Sequence, residues 1–161
     1  MEEKKIDEKK MKTALSVYKT MCDELDGKKL RYEKHEEDLV VVFDMRGDDL
    51  PIRIVLNVDA KRQLVRLISP LPFTVSEDKR MEAAIATSQV NYYLADGSFD
   101  FNYQEGKITF RLTSSFLDSL ISKAVFEYIV GVTCYTVDEY NDKFLMLAKG
   151  SLPLEAFFKK P

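Results

Sequence analysis

Apolar residues recur at three- and four-residue intervals near the start of the chain. Met11, Ala14, Leu15, Tyr18, Cys22 and Leu25 share one helical stripe, with lysines and acids opposite. Gly27 supplies a stop, and the charge-dense run before Met11 has little to pack against, so it is expected to fray. The period then changes to two. Leu39, Val41, Phe43 and Met45 alternate, RGDD turns the chain, and Leu50, Ile52, Ile54, Leu56 and Val58 alternate again. A turn over 59–62 leads into QLVRLIS. With the shorter KLRYEKHE, these make four strands whose tight connections imply antiparallel neighbours. Val40, Val42, Val55 and Val65 read onto the opposite face, which is therefore expected to be partly covered too.

After SPLPF, Thr74 with Glu77 three residues on has capping-box spacing, which predicts a helix from there to Gly97. Phe99, Phe101 and Tyr103, then Ile108, Phe110 and Leu112, alternate about Glu105-Gly106 as a hairpin. The segment 122–148 contains IVGVTCYTV, whose β-branched residues favour a strand. Spacing argues the other way: Val125, Ile129, Val132, Thr136, Tyr140 and Leu147 share a helical stripe, with Glu127, Asp138 and Asp142 elsewhere on the wheel. Gly150 ends that helix. The fold class is therefore α+β, an antiparallel sheet of about six strands with helices packed on it, in the order α-β-β-β-β-α-β-β-α. It is expected as a single domain over 1–161, with about 1–10 and the tail 151–161 peripheral.

Within the middle helix, AAIATSQVNYYLA (83–95) carries no charge in a chain that is 32% charged. At 100° per residue it has two apolar stripes, Met81, Ile85, Ser88 and Tyr92 on one side and Ala83, Thr87, Val90 and Leu94 nearly opposite. A helix contacted on both flanks explains this, either between the sheet and another helix or at a subunit interface. The candidate interface residues are Ala83, Thr87, Val90, Asn91 and Leu94.

Composition narrows the function classes. A net charge of −3 and a pI near 5.3 offer no overall attraction to nucleic acid or anionic membrane, and neither is expected as a partner. Cys22 and Cys134 lack paired spacing, the N-terminus is charged where a signal peptide is apolar, and no run has membrane-spanning length, so a soluble cytoplasmic chain is expected. Catalysis is not signalled. His35 is the only histidine and sits in polar EKHEED, Asp48 and Asp49 belong to a turn, Gly106-Lys107 lacks the rest of a phosphate loop, and Cys134 has acidic neighbours. No metal or cofactor is expected. Phe99, Phe101 and Tyr103 share a strand face as base-stacking residues do, but FDFNYQE lacks the cations such a platform uses.

The stretch from LPIRIVLNVDAKRQLVRLISPLPF through SEDKR, Asn91 before Tyr92-Tyr93-Leu94, Gly97 before Phe99-Asp100, and Glu105-Gly106-Lys107-Ile108 resembles the YbjN family of bacterial proteins assigned to sensory transduction regulation. The resemblance spans about 30–148. It implies a fold similar to type III secretion chaperones, often dimeric and binding protein segments, and it brings no catalytic residues. Asn91 and Gly97 match family positions and have structural explanations, a hydrogen bond where the helix meets a loop and a helix-ending positive φ. The function expected is a non-enzymatic protein-interaction module, chaperone-like or regulatory, a homodimer through the second helix with a sheet edge as a further contact. The alternative is a small-ligand or enzymatic site formed only in three dimensions by Asn91, Tyr92 and Asp100.

Overall fold

The structure, a computed structural model, describes residues 7–159. The first six residues of the charged start and the last two of the tail lie outside the described residues. The elements are α1 (Glu8–Gly27), β1 (Glu33–His35), β2 (Val40–Met45), β3 (Ile52–Asp59), β4 (Leu64–Thr74), α2 (Arg80–Tyr93), β5 (Ser98–Asn102), β6 (Lys107–Ser115) and α3 (Lys123–Ala148), with short 3-10 turns at Glu36–Asp38, Glu77–Lys79 and Leu154–Phe157. The six strands form one sheet in the order β1-β2-β3-β4-β6-β5, antiparallel throughout. This is the expected α+β order.

One face of the sheet is buried. Val41 and Phe43 of β2, Ile54 and Leu56 of β3, Val65 and Leu67 of β4, and Ile108 and Phe110 of β6 form a single hydrophobic cluster with Met21 of α1, Val90 of α2 and Phe126, Ile129 and Phe144 of α3. Val65 was expected on the other face, yet it registers opposite Val58 and is fully buried with it. The second face is covered only in part, by side chains of the sheet itself. Val42 lies opposite Val55, and Val55 opposite Ile68, and all three are half-buried. Cross-strand neighbours shield these side chains, which lie outside the helix-side cluster. Ion pairs stand at the margins of this face, Arg53 with Asp44 at 3.4 Å and Arg111 with Asp100 at 2.6 Å.

Helix ends follow local chemistry. Asp7 accepts from the Lys9 amide at 3.2 Å, so α1 begins before Met11, where fraying was expected. Ser122 caps α3 by accepting from the Val125 amide, which places that helix at its expected bounds despite its β-branched middle. The capping-box reading of Thr74 is corrected: Thr74 pairs with Lys107 as the last residue of β4. β4 runs through Pro70 and Pro72 with an irregular register between Pro70 and Thr74, the kind of place where a sheet tolerates proline. The tail is less peripheral than expected, because Phe157 is buried and stacks on Phe144 with ring centroids 5.2 Å apart.

Gly97 has the positive φ expected of it, +74°, but it stands beyond the end of α2 at Tyr93 and leads into β5. A Cβ there would come within 2.3 Å of the Phe110 ring. Gly27, the last residue of α1, has nothing within 4 Å of such a Cβ. The two glycines should therefore respond oppositely to alanine: Gly97→Ala is expected to cost about 2 kcal/mol or more, and Gly27→Ala to gain up to about 1 kcal/mol. Urea denaturation of the two variants checks both signs.

Candidate interaction surface

α2 has one face of small side chains. Ala83, Ala86, Thr87 and Val90 are buried within the chain itself, and their size lets the helix lie close to β5, the last strand of the sheet. Three of the five candidate interface residues, Ala83, Thr87 and Val90, thus belong to the chain's own core and offer no surface to a partner. Leu94 is half-buried against the same core. The opposite stripe is the one in solvent: Met81 is 61% exposed, Ile85 40% and Tyr92 80%, with Ser88 between them. The missing charge on α2 therefore has two causes, a core contact on one side and a bare apolar ridge on the other.

Asn91 has a separate task. Its Nδ2 donates to the Phe99 carbonyl at 3.0 Å, and its Oδ1 accepts from the Phe99 amide at 2.7 Å. A side-chain amide thereby pairs with both backbone groups of Phe99, as a neighbouring strand would. Because β5 is an edge strand, this interaction occupies that edge at Phe99, the second residue of the strand. The opposite edge is β1, only three residues long and fully exposed, EKH, which is a poor template for strand addition.

The other candidate chemistry does not converge. Asp100 is held by Arg111, whose pKa it raises through their hydrogen bond, and Asn91 is spent on Phe99, so Asn91, Tyr92 and Asp100 are each differently engaged. Phe99 is core, Phe101 half-buried and Tyr103 exposed, which disperses the aromatic row. His35 is exposed with Glu33 3.9 Å away. Asp48 joins its turn to α3 through its amide, which donates to Asp138 at 2.9 Å. Burial, then the Asp138 charge, push the Cys134 thiol up, away from thiolate chemistry. Among the described residues there is no cluster of metal-ligating side chains, and no helix is long and apolar enough to cross a membrane.

One feature had no periodic signal. Between α1 and α3, above β3, lies an apolar groove of about 370 Å³ lined by Met21, Leu25, Leu56, Phe126, Val130 and Gly131 among others. The sequence hint would have been Gly131, a glycine well inside a helix.

A crystal structure of YbjN from E. coli, described there as a candidate transcription regulator, aligns with a TM-score of 0.56 at 12% identity, covering 78% of this chain and 92% of that one. The chain has a YbjN-like fold. No family model matches the sequence, and no curated protein does. Within the YbjN-like architecture, Asn91 and Gly97 lie at the joint between α2 and β5, where one closes a strand edge and the other makes room for Phe110.

Two outcomes are expected. Asn91→Ala leaves the Phe99 amide and carbonyl without their partner, lowering stability by about 1–3 kcal/mol and speeding hydrogen exchange at the Phe99 amide. Burial, with smaller contributions from Cys22 and Glu36, pushes Tyr18 up to about 12, and its hydroxyl donates to the Val40 carbonyl at 3.4 Å. An unfolded tyrosine titrates near 10, so the stability conferred by the neutral phenol is complete below about pH 10 and is lost as pH rises towards about 12. Urea melts across that interval should show a shallower decline for Tyr18→Phe.

Proposed function

We propose that this YbjN-like chain is a non-enzymatic protein-interaction module that self-associates through the solvent-facing stripe of α2. The observation that carries the reading is the exposure of Met81, Ile85 and Tyr92 on one uncharged helical ridge. Monomers seldom leave clustered apolar side chains in water without a use for them. An antiparallel pairing of two copies about a twofold axis suits the spacing. Residues 81 and 92 are equally far from the midpoint of the stripe, so each Tyr92 ring would meet the second copy's Met81, a favourable sulfur–aromatic contact. Ile85 would fall opposite the small Ser88 of the other copy.

A regulatory role fits this mode of action. The structurally similar YbjN is described as a candidate transcription regulator, and a chain of net charge −3 would exert such a role through protein contacts more readily than through phosphate binding. Strand addition is the weaker route, given the Asn91 pairing on β5 and the short charged β1.

Light scattering after size exclusion tests the proposal. The wild-type chain is expected to elute as a dimer at micromolar concentration, and Ile85→Asp or Tyr92→Asp as a folded monomer with an unchanged circular dichroism spectrum. Val90→Asp should instead lower stability by about 3 kcal/mol or more, because it places a carboxylate in the core. A monomeric wild type, or a dimeric Ile85→Asp, would remove α2 from the role.

A further inference from the structure

The groove between α1 and α3 has the features of a ligand site, and it is separate from the α2 ridge. Its floor is made of core side chains, Met21, Leu56 and Phe126, which are almost fully buried, so the groove reaches the hydrophobic cluster directly. Its volume of about 370 Å³ lies at the lower end of small-molecule pockets, about 300–1,000 Å³. Methionines 21 and 45 in the lining are adaptable side chains that re-pack around apolar groups.

Gly131 is the first anomaly. It stands in the interior of α3, where glycine is the least favourable residue after proline, and its φ is not among the positive ones. A Cβ at this position would have nothing within 4 Å. Neither backbone conformation nor intramolecular crowding calls for glycine here, in contrast to Gly97. What its bare backbone does is keep the groove wall open.

Glu24 is the second. Its side chain is only 14% exposed, yet among the described residues its carboxylate accepts no hydrogen bond, and its nearest cation is Lys28 at 3.9 Å. Lys28 is engaged elsewhere, with Glu127 across the groove at 2.5 Å. The rim thus holds two carboxylates and one ammonium, and Glu24, the less exposed of the two acids, is the one held farther from Lys28. A carboxylate-headed ligand would meet like charge there, whereas a cationic nitrogen would complete the rim with a charge-assisted hydrogen bond.

From this geometry we propose that the α1–α3 groove binds a small, mainly apolar molecule carrying one positively charged nitrogen. The apolar body lies on Met21, Leu56 and Phe126, and the nitrogen donates to Glu24. Cys134, whose thiol is kept protonated by burial, serves as neutral wall.

Calorimetric titration with n-octylammonium, octanol and octanoate, each below its micellar range, tests the assignment. Octylammonium is expected to bind most tightly and octanoate least. Glu24→Gln should weaken octylammonium by roughly tenfold and leave octanol unchanged. Gly131→Leu, which fills the groove, should abolish binding of both. Gly131→Ala should raise the Tm by about 2–4 °C while weakening octylammonium, which guards against misreading a folding defect in the leucine variant. Ile85→Asp should bind as the wild type does, because the α2 ridge plays no part. The assignment is overturned if the wild type takes up none of the probes, if octanoate binds as well as octylammonium, or if folded Gly131→Leu retains wild-type affinity.

Discussion

The packing of α3 across a single face of the sheet is the constraint on which the rest of the molecule depends. Phe126, Ile129 and Phe144 are almost fully buried there, and the Phe99 ring meets those of Tyr140 and Phe144 edge-on at centroid distances of 5.9 and 5.0 Å. Aromatic contacts of this geometry add to plain area burial. With α3 fixed, α2 runs beside it: Tyr128 hydrogen-bonds Asp96 just after α2 ends, and Lys79 at its start lies near Gly150 just after α3 ends, so the two helices are antiparallel. On the other flank, Lys28 and Glu127 tie α1 to α3. Both candidate surfaces are products of this arrangement, since the ridge is the side of α2 turned away from β5 and the groove is the space that α1 and α3 do not close.

The division of α2 into a small-residue face and a large-residue face is a matter of distance as much as hydrophobicity. Ala83 and Ala86 allow the backbone to approach the sheet, and Val90 fills what remains. Met81, Ile85 and Tyr92 would hold the helix farther away if they faced inward. Size therefore decides which stripe is core, and the bulkier stripe is left in water.

Much of the fold was legible because it is written in periods. The alternation in β2 and β3, the helical stripe of α3 and the stop at Gly150 are local signals, strong enough to outweigh the β-branched run through Val130, Val132 and Thr133. The end of β4 was not legible, because Thr74 is held in the strand by Lys107, a partner far along the chain. The orientation of α2 was not either, since two stripes of similar apolarity look alike until a neighbouring surface selects between them. Asn91 was read correctly as a hydrogen-bonding residue at the helix–loop junction, but its strand-like pairing with Phe99 needs three-dimensional placement to be seen. The groove left no periodic trace because it is a gap between elements; only Gly131 hinted at it.

The two hydrogen bonds between Asn91 and Phe99 also bear on how this chain can assemble. Open-ended polymers of sheets grow because each added molecule presents a fresh unsaturated margin to the next. Here the β5 margin is occupied at Phe99 by the molecule's own helix, so a strand adding along it would have to displace Asn91. A continuous strand-to-strand fibre would therefore have to break native hydrogen bonds at one margin before it could grow.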